Sequence, residues 1–303
     1  GATFGALTAG YVDVLARRVL GPVGMPNTTI SFADVLARDN YALPHALSFG
    51  AKYTPMTVAE EEVLSPLAPA GEHWSTLEDM TNYLIMALNK GVAADGTRVV
   101  SEENLRTTWE AQVPLGANTS YGLGWFVDQY KGAPLIQHGG NTVGFTSDFA
   151  FLPKHGVGIV ILTHVRASNY FNQGVRNRLF ELVFSQEAAA AATTDFQFAQ
   201  LQERMVEPPL FAPGLTDAAL APYLGTFHNE ALGDLTLALS DGVLTADAGE
   251  FTVTLLPTEH DGAVRYVMAD GLLAGEAFTF AQTEAGAATI AFGEGIQMYM
   301  FTR

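Results

Sequence analysis

Apolar positions along the chain change period from helical to alternating, and the switches outline its elements. Val12, Leu15, Ala16, Val19 and Leu20 share one face of a helix over Gly10–Leu20, and Gly21-Pro-Val-Gly-Met25 punctuates its end. Residues 26–70 hold no sustained period and contain Pro26, Pro44, Pro55, Pro66 and Pro69. Loops with short helices are expected there, of the kind that line pockets. Ser75-Thr-Leu-Glu78 reads as a capping box opening a helix with Leu77, Met80, Leu84 and Leu88 inward and Lys90-Gly91 at its end.

Alternation follows. Tyr121, Leu123, Trp125 and Val127 mark one strand, Pro134–His138 a second, Phe145 to Phe151 a third and Val157–Thr163 a fourth, with turns at Lys131-Gly132 and His155-Gly156. A helix with Val175, Leu179, Leu182 and Val183 inward comes next. Beyond the alanine run 188–192, a linker with a helical middle over Thr194–Met205 leads into eight short strands. Asp241-Gly242 and Asp261-Gly262 supply tight hairpin turns there. The predicted class is α+β: an antiparallel sheet flanked by helices over residues 1–184, a partly helical linker over 185–220, and a small all-β barrel over 221–303.

Composition narrows the chemistry. Of 303 residues 48% are apolar, enough for real cores, and a net charge of -17 disfavours a nucleic-acid partner. Without cysteine there is no disulfide, thiolate metal site or cysteine nucleophile. No apolar run is long enough to span a bilayer.

His138-Gly139-Gly140, at a strand end, is the sharpest candidate site. Glycines beside a strand end let a ligand approach the backbone, and the histidine can hydrogen-bond a bound carbonyl or carboxylate or assist proton transfer. The alternative is a turn with a packed histidine. No second histidine lies at metal-ligand spacing, so no metal is called for, nor any other cofactor.

Four segments in order, residues 11–28, Ala70–Met80, Tyr121–Trp125 and His138–Ser147, resemble the β-lactamase-related serine hydrolase family, which includes class C β-lactamases, D-alanyl-D-alanine carboxypeptidases, D-aminopeptidases and esterases. Residues 11–28 resemble its helix and "P-L-G-M-x-x-T" stretch. Ala70–Met80 resembles "A-G-G-x-x-S-T-x-x-D-M", Tyr121–Trp125 matches "Y-G-L-G-W", and His138–Ser147 matches "H-G-G-x-x-x-G-F-x-S". The resemblance implies that His138-Gly139-Gly140 stands where the family has Lys-Thr-Gly. His138 would support catalysis or binding, and the backbone of Gly140 and Asn141 would help form an oxyanion hole. It implies hydrolysis of an amide or ester (a D-amino-acid peptide, a β-lactam or a small ester) through an acyl-enzyme, on a periplasmic or secreted protein. Residues 221–303 resemble the lipocalin-like barrel appended to some relatives, with Phe251, Phe278 and Phe280 expected in its core.

The family's nucleophile motif, Ser-x-x-Lys, occurs nowhere in the chain, and Ser48-Phe-Gly-Ala-Lys52 has the wrong spacing. The motif is expected upstream of Gly1, which would leave these 303 residues alone inactive. Tyr170-Phe-Asn172 spells the family's Tyr-x-Asn but follows the His-Gly-Gly strand and reads as a helix-cap region. Glu72 replaces the second glycine of "A-G-G" and is expected to face solvent. His73 and Trp74 are candidate substrate contacts, with a hydrophobic staple the better reading of Trp74. The alternative function is a non-catalytic relative that binds peptide, lipid or a protein through the cleft or the barrel.

Overall fold

The computed structural model describes residues 10–48, 52–205, 214–249, 251–260, 263–269, 273–293 and 298–303. The chain divides into two units, residues 1–45 with 56–197, and 46–55 with 198–303.

In the first unit, helix α1 occupies residues 10–23 and passes the predicted stop at Gly21. A π-turn at Ala16–Leu20, in which the Gly21 N–H reaches Ala16 O, accommodates Pro22. Gly24, at φ 83°, ends the helix instead. Helix α2 (Phe32–Leu36) is capped by Ser31. A short hairpin of β1 (His45–Ser48) and β2 (Lys52–Pro55), which from Ala46 onward belongs to the second unit, forms where loops and short helices are predicted, and a 3-10 helix of the first unit covers Val58–Ala70.

Helix α3 (Leu77–Leu88) starts one residue later than its sequence suggests. Thr76, not Ser75, accepts the Asp79 N–H. Leu77 is exposed, and the buried face comprises Asp79, Leu84, Met86 and Ala87. Gly91 N–H closes on Met86 O and Lys90 N–H on Ala87 O, a Schellman end with Lys90 itself left-handed. Helix α4 (Glu102–Thr108) follows.

The sheet is an antiparallel meander, β3 (Val113–Pro114), β4 (Ser120–Tyr121), β5 (Phe126–Tyr130), β6 (Ala133–Asn141), β7 (Thr146–Leu152) and β8 (Val157–Thr163), paired in chain order. The predicted strand over 121–127 is broken between β4 and β5. A Cβ on Gly122 would lie 2.5 Å from Thr108 O, and Gly124 takes φ 84°. Lys131 and Gly132, at φ 48° and 87°, make the two-residue hairpin that sets the β5–β6 register.

Both sheet faces are covered. On one, Ile136, Phe149 and Phe151 pack with Leu84 and Ala87 of α3. On the other, Leu135, Ala150 and Leu152 pack with Phe180 of helix α5 (Asn169–Val183). The inward face of α5 is the predicted one only at Leu179, which packs on this core. Val175, Leu182 and Val183 are exposed, whereas Asn172, Arg176, Phe180 and Glu181 are buried. Two of these polar groups answer partners on the sheet: Arg176 Nη1 donates to both oxygens of Asp148 on β7, at 2.8 and 2.9 Å, and Asn172 Nδ2 donates to Thr163 Oγ1 on β8, at 3.4 Å. Glu181 accepts the Ala189 and Ala190 N–H groups and so caps helix α6 (Ala190–Arg204).

In the second unit eight antiparallel strands run in chain order, β9 (Gly225–Asn229), β10 (Gly233–Ser240), β11 (Val243–Asp247), β12 (Thr252–His260), β13 (Ala263–Met268), β14 (Ala277–Gln282), β15 (Ala288–Phe292) and β16 (Tyr299–Phe301). A bridge between His228 and Thr302, with bonds of 2.7 and 3.0 Å, closes them into the expected barrel. Alternate residues such as Leu235, Leu237, Leu244, Ala246, Val253 and Leu255 fill its interior. Phe278 is buried there with Phe251 and Phe280 packed against the same core, as expected. Asp241-Gly242 forms its hairpin (φ 50° and 78°), while Asp261-Gly262 lies outside the described residues.

Candidate functional site

The His-Gly-Gly segment occupies the end of β6. Strand β5 pairs with β6 only from Ala133 to Gln137, whereas β7 pairs with it through Asn141. Among the described residues, His138–Asn141 therefore keeps one strand edge without a partner. An open edge offers backbone N–H and C=O groups to an extended ligand, and Gly139 and Gly140 place no side chain in the way.

The His138 ring is held on both nitrogens. Nδ1 lies 2.7 Å from Gly139 O and Nε2 lies 3.0 Å from the Tyr121 hydroxyl. Phe126 packs on it at 5.3 Å and Tyr121 at 5.9 Å between ring centroids, and those two rings lie 5.0 Å apart. Three aromatic groups from β4, β5 and β6 thus fix one another. The Asn141 side chain is committed to structure: Nδ2 donates to Asn169, and Oδ1 accepts from Thr146 and from the Ala167 N–H.

The turn after β6 is anchored from outside the sheet. Glu61, 1% exposed, accepts the Gly144 N–H at 2.6 Å, the Thr142 hydroxyl at 3.2 Å and the Val143 N–H at 3.3 Å. Burial raises its pKa, opposed by the bonds from Gly144, Thr142 and Val143 and by Arg166. A Cβ on Gly144 would meet Pro44 Cβ at 2.2 Å and the His45 nitrogen at 2.8 Å. Gly144→Ala is expected to cost about 3 kcal/mol, since neither backbone can yield; thermal melting checks this.

Asp79 ties two of the family-like segments together. Its buried carboxylate accepts the Asn27 N–H and the Thr28 hydroxyl, both at 2.8 Å, and Thr28 also bonds Ser75. Glu72 is buried, not solvent-facing, and accepts from Ser65 at 3.2 Å. Burial is the main cause of its raised pKa. Trp74 packs on Phe145 at 5.5 Å and on Phe32 at 6.2 Å, so it braces the turn after β6 and is not a staple on α3. Tyr170 and Asn172 fall in the first turn of α5 behind Ser168, its N-cap residue, with the Asn172 side chain buried.

His73 is exposed and bonds the Tyr11 hydroxyl at 3.1 Å, with its pKa lowered by the partial desolvation of its ring. The folded state thus prefers the neutral ring. Stability should fall as pH drops below the ordinary histidine value, by a small amount because solvent screens an exposed ring. Tm measured from pH 8 to pH 5 should show a slope that His73→Gln reduces.

Tyr121, Glu61 and Asp79 carry these contacts, yet local sequence does not single them out. Their partners lie 17, 83 and 52 residues away. The β4–β5–β6 meander is the one signal that could have brought Tyr121 beside His138. Among the described residues no group of three or more His, Cys, Asp and Glu is placed to hold a metal ion. No described helix is long and apolar enough to cross a membrane.

Comparison with known proteins bears on the family and the fold. Penicillin-binding protein 4 of Amycolatopsis lactamdurans is 26% identical over 230 residues, covering 72% of this chain and 54% of that protein. An unguisins hydrolase, ungD', of Aspergillus campestris (strain IBT 28561) is 22% identical over 282 residues, covering 82% and 50%. The chain therefore spans about half the length of these curated relatives. The octameric penicillin-binding protein homologue from Pyrococcus abyssi shares the fold, with a TM-score of 0.50 at 15% identity, over 96% of this chain and 60% of that one. The sequence profile described as Beta-lactamase matches residues 1–182, more than half of the 303, and the chain belongs to that family.

Proposed function

We propose that this chain is the part of a serine hydrolase that receives the acyl group of an amide or ester, a D-amino-acid peptide, a β-lactam or a small ester being the classes in view. The observation that carries the reading is the half-open strand His138–Asn141, glycine-bare at 139 and 140, beside a histidine fixed on both ring nitrogens. An extended substrate can lie along such an edge. Backbone N–H groups near Gly140 and Asn141 would stabilise the oxyanion of an acyl-transfer intermediate, while His138 supports the site. The nucleophile would come from a Ser-x-x-Lys segment outside these 303 residues, its serine activated by the lysine. The hydrolase part is read as residues 1–184, with a linker over 185–220 and the barrel from 221. The similarity to a penicillin-binding protein and to an unguisins hydrolase supports the hydrolase reading, and the exported location is the one the family resemblance implies.

The test is turnover of β-lactam, D-amino-acid amide and small ester substrates by the protein made from its complete coding sequence. Gly140→Val keeps its backbone N–H but puts a branched side chain against Ser147 Oγ, 3.0 Å from its Cβ. It should misplace the acyl group and lower kcat/KM by up to about 100-fold, with a modest fall in Tm as Ser147 gives way. Absence of turnover on all three classes, with the fold intact, would favour the non-catalytic binding role.

A further inference from the structure

The hydrogen bonds around His138 leave it no free nitrogen. A carbonyl oxygen only accepts, so the bond to Gly139 O places the proton of the neutral ring on Nδ1. Nε2 is then an acceptor, and the Tyr121 hydroxyl must donate to it. The chain of bonds runs from Tyr121 O–H to His138 Nε2, and from His138 Nδ1–H to Gly139 O. With its one proton given to His138, the Tyr121 oxygen can only accept from anything else, and among the described residues no other partner is bonded to it. The phenol is half-buried on β4, and Phe126 on β5 and the backbone bond from Gln112 N–H to Tyr121 O hold it in place.

We infer that Tyr121, and not His138, presents the polar side-chain atom that meets substrate, and that it accepts a hydrogen bond from an N–H donor in the acyl portion, an amide or an amine. His138 is a positioning residue: it holds the phenolic proton and so sets the Tyr121 oxygen as an acceptor. This deepens the hydrolase reading and rests on it. A site with only an acceptor to offer disfavours a substrate that brings a second acceptor or a methyl group to the same place, because one polar group would be left unpaired.

Two probes differ at that atom alone: N-acetylglycine methyl ester and its N-methyl counterpart, N-acetylsarcosine methyl ester. The complete protein should prefer the N–H ester at least tenfold in kcat/KM. Tyr121→Phe should bring that ratio close to one, and His138→Ala should reduce it. His138→Gln, whose amide oxygen can accept the phenolic proton, should restore part of it. An unchanged ratio in Tyr121→Phe overturns the inference. If neither ester is turned over by the wild type, the hydrolase reading fails, and binding of the same two esters is scored by saturation-transfer NMR. A preference for the N–H ester that Tyr121→Phe abolishes then upholds the role of Tyr121, and equal binding overturns it. Nitrogen-15 shifts of the His138 ring check the arrangement without substrate. Nδ1 should be pyrrole-like and Nε2 pyridine-like, with Nε2 moving downfield in Tyr121→Phe; the opposite tautomer contradicts it.

Discussion

Arg176→Met should lower stability by about 3–5 kcal/mol, because it leaves the Asp148 carboxylate buried without its cation. The pair joins β7 to α5 through two bonds from one nitrogen, and both side chains are almost wholly removed from water, 9% and 6% exposed. Burial is the main cause of the raised Asp148 pKa, with Arg176 opposing it. The charge is therefore kept in the interior by that guanidinium. A loss of this size corresponds to a fall in Tm of about 10 °C for a unit of this length. The double variant Arg176→Met with Asp148→Leu should recover most of the loss, since two apolar groups of similar volume leave no orphaned charge. Urea unfolding of both single variants and the double gives the coupling energy. A double variant no better than Arg176→Met would show that packing, and not charge pairing, is what Arg176 supplies.

Removing the Glu61 carboxylate should be nearly as damaging. Glu61→Ala takes away the acceptor for two backbone N–H groups and one hydroxyl in the Thr142–Gly144 turn. Burial leaves water little room to replace it, so about 3 kcal/mol or more is expected. Glu61→Gln should recover only part, because its NH₂ end must face a donor. The acid-range behaviour has a definite sign. Between the ordinary glutamate value and its raised folded value, the native state holds more protons than the unfolded chain. The stability gained from that protonation is fully present below the ordinary value and is lost as pH rises through the window. Denaturant midpoints across the acid range should show this slope in the wild type and lack it in Glu61→Ala.

Much of the fold is legible in sequence where one local rule decides it. Lys131-Gly132, His155-Gly156 and Asp241-Gly242 mark hairpins because few residues other than glycine tolerate positive φ easily, and the strands between them alternate. Legibility fails where a distant partner outweighs the local pattern. The inward face of α5 is hidden because Asn172 and Arg176, polar residues, are buried by their bonds to β8 and β7. The cap of α3 shifts to Thr76 because the Ser75 hydroxyl bonds Thr28. Glu72 looks like a surface substitution for glycine until Ser65 is seen beside it. The candidate site divides in the same way. Two glycines after a strand point to His138, but the Tyr121 contact that occupies its ring exists only once β4, β5 and β6 are in register.

The central claim is that the strand ending in His138–Asn141 belongs to a serine hydrolase whose nucleophile lies outside these 303 residues. The most direct measurement is covalent trapping. The protein expressed from its complete coding sequence is treated with a fluorophosphonate, digested, and the adduct located by mass spectrometry. The account predicts a single modified serine, followed three residues later by lysine, on a peptide N-terminal to Gly1, and protection of that serine by excess substrate. An adduct on a serine within residues 1–303, or none under conditions where the protein is folded, would contradict it.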